Sequence, residues 1–140
     1  MGMSEVRRRS ASGFTLIELM IVIVIVAVLM GVALPAYRDQ VIRGHRAAAK
    51  AEMLEIANRQ QQYLLANRIY ATGLSTIAYS GPPDVLAKYT FSISSVVNSG
   101  SPYFEVKATP QSGGGQESDG WLTLDSLGVK NSEKDDRWAR

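Results

Sequence analysis

There is no cysteine among the 140 residues. Disulfides are excluded, and so are thiolate nucleophiles and cysteine-ligated metals. Histidine occurs once, at His45, beside Arg43 and Arg46, which leaves general-base catalysis little to draw on. Serine is plentiful, but no base is placed to activate it. An excess of one charge sign is lacking too. The formal net charge is +2, and residues 1–13 carry Arg7, Arg8 and Arg9 against a single acid, Glu5. The remaining 12 basic and 12 acidic residues balance, so a general nucleic-acid-binding reading loses its main support. Asp119, Asp125, Asp135 and Asp136 match no EF-hand spacing and read as solvated acids. The Gly113-Gly114-Gly115 run lacks the strand-to-helix setting and the lysine of a phosphate loop. The chain therefore reads as no enzyme, with no metal and no cofactor.

What it does have is a long apolar run. From Leu19 to Ala36 there are 18 residues without a charge. As a helix they span about 27 Å, close to a bilayer's hydrocarbon thickness. The arginines ahead of the run keep the N-terminus cytoplasmic and place everything after residue 37 outside the cytoplasm. Glu18 interrupts the apolar pattern. An ionised carboxylate at the start of a membrane segment is costly without a partner, and the segment holds no Lys, Arg or His. The bland reading of Glu18 is solvation among lipid headgroups; the rival readings of the segment are a plain single-span anchor and a cleaved signal peptide with a small-x-small site at Gly31-Val32-Ala33, in which Glu18 would sit badly. The run exceeds a signal peptide's apolar core of about 7–15 residues, and the anchor leaves Glu18 unexplained.

The block Gly13-Phe14-Thr15-Leu16-Ile17-Glu18, after a short basic leader and with Pro35 near the end of the run, resembles the processing motif of type IV pilins. The resemblance implies that a prepilin peptidase cuts between Gly13 and Phe14 and that the new N-terminal Phe14 is N-methylated. It also implies that Glu18 meets the N-terminal amine of a neighbouring subunit. Leaving either of two buried opposite charges alone costs about 3–5 kcal/mol, so such a pair selects subunits in register.

Helical periodicity continues past the apolar run. Ile42, Ala49, Met53, Ile56, Ala57, Gln60 and Leu64 share one face; Ala48, Glu52, Glu55, Arg59 and Gln62 share the other. Glu55 and Arg59 stand at i,i+4 spacing. A single helix over residues 14–67 is about 80 Å long. Pro35 removes a donor and clashes with the carbonyl at Gly31, so the helix is expected to bend there and to loosen in a filament. An amphipathic half joined to an apolar half suits a filament subunit.

Residues 68–88 read as an ordered loop, because Tyr70, Leu74, Ile77 and Tyr79 need a surface to cover. Residues 89–94 and 103–109 alternate with period two, and residues 121–125 form a third short run closed by a turn at 126–128. The segment 111–120, rich in Gly and Ser, is expected to be mobile. The fold class is α+β: a long N-terminal helix, half transmembrane and half amphipathic, packed on a three- to four-stranded antiparallel sheet. The divisions are a leader at 1–13, a transmembrane helix at 14–36 and a head at 37–140, with its sheet over 89–129 and a polar tail over 130–140.

A weaker resemblance covers Leu122–Gly128 and the tryptophan near the C-terminus, similar to minor pilins of the PilE type. In those relatives a disulfide ties the residue before this strand to one before the terminal tryptophan. Here Asp119 and Arg137 stand in about those places, which suggests an ion pair clipping the tail; two solvated charges are the alternative. The implied function is a structural subunit, a minor pilin acting in pilus biogenesis, adhesion and twitching motility. Its implied partners are other pilin subunits, the prepilin peptidase and methylase, the inner-membrane assembly platform and inner-membrane lipid. Its location would be the inner membrane with the head in the periplasm, then the surface pilus. One alternative is a type II secretion pseudopilin. Another is a DNA-binding competence pilin, for which Arg43, Arg46, Lys50, Lys88, Lys107 and Lys130 would form a basic stripe.

Overall fold

The computed structural model describes residues 13–98, 101–134 and 138. It divides into two units, residues 1–37 and 38–140. Helix α1, Leu16–Asn67, runs through the boundary and is uninterrupted at Pro35.

In the first unit α1 has an 18-residue window of mean hydropathy 3.0, none of it buried. Every residue from 13 to 37 is exposed. Length and apolarity suffice to cross a membrane, where a helix pairs its own backbone groups.

In the second unit α1 becomes amphipathic. Arg46, Ala49, Met53, Ile56 and Gln60 are buried, a spacing of three and four that keeps them on one face. Glu55 and Arg59 lie opposite and form the i,i+4 pair at 2.7 Å. The sheet comprises β1 (Tyr89–Asn98), β2 (Ser101–Pro110), β3 (Leu122–Asp125) and β4 (Lys130–Ser132), antiparallel in the order β1-β2-β3-β4. Its register lines Ile93, Val106 and Leu124 in one row and Phe91, Ala108 and Leu122 in the next. These residues join Ala49, Met53 and Ile56 in one core. Alternate residues face away, including the row Ser92, Lys107, Thr123 and Asn131 across all four strands.

The polar tail expected from residue 130 starts instead with β4. Its Lys-Asn-Ser sequence carries no apolar alternation, and the β3–β4 turn creates it. Gly128 takes φ +80°, and the Asp125 carboxylate accepts the N–H groups of Leu127 and Val129 at 2.9 and 2.8 Å. Between α1 and β1 the chain is ordered, as the buried Tyr70 and Ile77 show, and it holds a one-turn helix α2, Pro83–Leu86, begun by proline in its first turn. Gly81 leaves room there for the Tyr79 ring, since a Cβ would meet the Tyr79 hydroxyl and force that side chain to shift. The guanidinium of Arg59 donates to the Ala78 carbonyl at 2.7 Å, fixing this loop to α1.

Candidate functional site

The N-terminal segment begins outside the helix. Residues 13–15 have no regular structure, and α1 starts at Leu16. Thr15 caps it: the Glu18 N–H donates to Thr15 Oγ1 at 3.3 Å, satisfying one of the helix's otherwise unpaired first-turn donors. Gly13 and Phe14 therefore lie just before the cap, and Glu18 lies in the first turn. Phe14 is 82% exposed. Among the described residues Glu18 takes part in no ion pair. Below it Ile17, Met20, Ile21, Val24 and Ile25 line a shallow apolar groove. An exposed apolar stripe of this length is not left in water; it belongs in lipid or against other helices.

The second unit contains a buried polar cluster. Asp119, on the 3₁₀ turn Glu117–Asp119, is 1% exposed, and so is Arg46 on α1. The two form an ion pair in which the guanidinium reaches Asp119 Oδ1 through Nε and Nη2. Asp119 Oδ2 accepts the Tyr89 hydroxyl from β1. Gln116 Nε2 donates to the Tyr89 oxygen at 2.8 Å and to the Ile42 carbonyl at 2.9 Å. The cluster thus joins α1, β1 and the 111–120 loop. Burial alone pushes the Asp119 carboxyl up, but bonds from Arg46, Tyr89 and Gln116 with the guanidinium charge hold it below the usual carboxylate range. Burial, then the Asp119 bond, raises the Tyr89 phenol above its ordinary value.

Three sequence expectations are corrected by this cluster. Asp119 is not a solvated acid. Arg46 is withdrawn from any surface stripe, because it is enclosed and neutralised. The 111–120 loop is held at Gln116 and Asp119 rather than free. Arg137 lies outside the described residues, so the proposed Asp119–Arg137 clip keeps only its first member in view. His45 is half-buried.

The tail is held at Trp138. Its Nε1 donates to the Asn131 carbonyl at 2.7 Å, and its carbonyl accepts Lys50 Nζ at 2.9 Å. Lys50 and Lys130 each place Nζ 5.5 Å from the ring centroid. Burial, followed by the nearby Arg46 charge, lowers the Lys50 ammonium's pKa from its ordinary value. A second such contact joins Lys107 to Trp121 at 5.0 Å.

Two family models match the chain. Residues 8–34 match the prokaryotic N-terminal methylation motif. Residues 35–123 match the family described as type IV minor pilin ComP, DNA uptake sequence receptor. The chain belongs to the type IV pilin family. The pilin is 38% identical over 85 residues to a fimbrial protein of Neisseria meningitidis, covering 58% of this chain and 48% of that protein. It is 34% identical over 85 residues to the type IV wide pilus major component of Thermus thermophilus, covering 61% of this chain and 65% of that one. The pilin thus matches about half to two thirds of the length of these relatives. A solved type IV pilin from Shewanella oneidensis superposes with a TM-score of 0.51 at 21% identity, covering 67% of this chain and 94% of that one. That likeness shows the fold: a long N-terminal helix with a four-stranded antiparallel sheet.

Thr15, Tyr89, Gln116 and Trp138 did not figure as site residues in the sequence reading. Thr15 and Glu18 carry a legible signal, the threonine-x-x-glutamate spacing of a capping box. Arg46 had one too, four residues after Ile42 and three before Ala49 on the apolar face. For Gln116 no local signal exists.

Proposed function

We propose that this pilin is a structural, non-enzymatic subunit of a type IV pilus, a minor pilin made as an inner-membrane precursor with its head in the periplasm. The prepilin peptidase would cut between Gly13 and Phe14, and Phe14 would then be methylated. Glu18 would meet the amine of a neighbouring Phe14 as subunits leave the membrane through the assembly platform. The observation that carries this reading is the N-terminal methylation motif on a stretch of helix whose apolar residues, up to residue 37, are all exposed. Packing of that stripe among other subunits would supply the drive for assembly, and Pro35 would let the helix loosen there. Adhesion and twitching motility would follow from the filament. The test is mass spectrometry of sheared surface fibres, followed by complementation of a deletion strain. Fibres should contain the chain beginning at methylated Phe14, and Glu18→Ala should abolish its incorporation. Fibres carrying residues 1–13, or normal incorporation of Glu18→Ala, would refute the proposal.

A second reading is DNA binding, favoured by the match over residues 35–123. Arg46 has no part in it, being buried. The exposed or half-buried candidates are Lys50 and Lys130 around Trp138, and Lys107 beside Trp121. Lysine beside an aromatic face suits a nucleic-acid strand. DNA affinity of the full chain in detergent should then fall steeply with salt and drop on Lys130→Ala. Salt-independent or absent binding would leave the structural role alone.

A further inference from the structure

We propose that Thr15 presents the Gly13–Phe14 peptide for cleavage, its hydroxyl holding that peptide outside the helix with the Gly13 carbonyl free. The inference rests on the processing reading above. Hydrolysis adds the hydroxyl of water to the Gly13 carbonyl carbon, breaks the C–N bond and passes the proton to the Phe14 nitrogen. The carbonyl carbon has to be accessible, and a carbonyl oxygen engaged inside a helix is not.

The hydrogen bonds show what is at stake. In an α-helix each N–H bonds the carbonyl four residues earlier. Were α1 to run back one turn, Ile17 would bond the Gly13 carbonyl, which is the scissile one, and Glu18 would bond that of Phe14. In the structure Glu18 N–H goes instead to Thr15 Oγ1, while the first regular bond runs from Leu19 N–H to the Thr15 carbonyl at 3.3 Å. The threonine side chain thus substitutes for the acceptor that backward extension would supply. At a lipid boundary the unpaired alternative is costly, so removing the hydroxyl shifts the balance toward extension. Gly13 favours the same outcome, since glycine resists helix formation. A Cβ at Gly13 would meet nothing within 4 Å, so packing within the described chain does not demand this glycine.

The experiment uses full-length precursor in membrane vesicles with a prepilin peptidase, following leader release by mass. Thr15→Val keeps the branched shape and deletes the acceptor; its initial cleavage rate should fall about fivefold, the loss of one helix cap read as a rate. Thr15→Ser restores the acceptor and should recover most of the rate. In parallel, the carbonyl carbon-13 shift of Gly13 should move toward helical values in Thr15→Val only. Wild-type cleavage of Thr15→Val, or Thr15→Ser cleaved as slowly as Thr15→Val, overturns the role of the hydroxyl and leaves processing intact. A wild-type precursor not cut between Gly13 and Phe14 overturns the processing reading and this inference with it.

Discussion

The Gln60 carboxamide pairs with both backbone groups of Ala71, its Nε2 donating to the carbonyl at 2.8 Å and its Oε1 accepting the N–H at 2.9 Å. Gln60 is fully buried and Ala71 nearly so, and the pairing ties the chain leaving α1 back onto the helix that precedes it. A glutamine on an apolar helix face is thereby satisfied where a leucine would strand two backbone groups. Gln60→Leu is expected to destabilise the head by about 2–6 kcal/mol, since each of the two buried unpaired groups costs about 1–3. Urea unfolding of the full chain in detergent measures it.

The Arg46–Asp119 pair makes a sharper prediction. Asp119→Ala leaves a guanidinium enclosed without its counter-charge, at about 3–5 kcal/mol. Replacing both residues, Arg46→Met with Asp119→Ala, should cost less than Asp119→Ala alone, because the stranded charge goes with its partner. A double-mutant cycle in the same unfolding assay decides it.

The pH dependence follows from the lowered Asp119 carboxyl. A group whose folded pKa is depressed stabilises above its unfolded pKa of about 3.9, and that stability is lost as pH falls through the folded value. The urea midpoint should hold between about pH 5 and 7 and decline below about pH 4. Asp119→Asn should be weaker at neutral pH and show a shallower acid decline.

Trp138→Ala removes two lysine–ring contacts and the indole bond to Asn131. Each exposed cation–π contact is worth about 0.5–1 kcal/mol, so the two account for about 1–2 kcal/mol, and the lost packing of Trp138 against the core adds to it. Limited proteolysis should trim the C-terminal tail faster in this variant, with the rest of the head resistant.

Much of this architecture is legible in the sequence, for reasons that differ by element. The apolar run and the 42–64 periodicity give α1 nearly to its observed end at Asn67, because both signals are long. Alternation at Tyr89, Phe91 and Ile93 and at Phe104, Val106 and Ala108 gives β1 and β2. Four-stranded closure is harder to read, since β4 is three polar residues that exist because Asp125 and Gly128 shape the turn before them. Arg46 is assigned to the surface by its charge, although its spacing places it inside. Position settled the matter, and the counter-charge that permits it lies 73 residues away. Sequence separation of that size hides the Asp119 partner, just as it hides Gln116 reaching Ile42. Thr15 is local and could have been read.

A fastening made of a guanidinium and a carboxylate closes without an oxidant, and no thiol reagent can open it. With no cysteine anywhere in the chain, the 111–120 loop is secured on α1 by the Arg46–Asp119 ion pair and the Gln116 bond to the Ile42 carbonyl. Folding of this head is therefore indifferent to the redox state of the compartment that receives it and owes nothing to a disulfide-forming enzyme. Strong acid, rather than reduction, is the condition that undoes it.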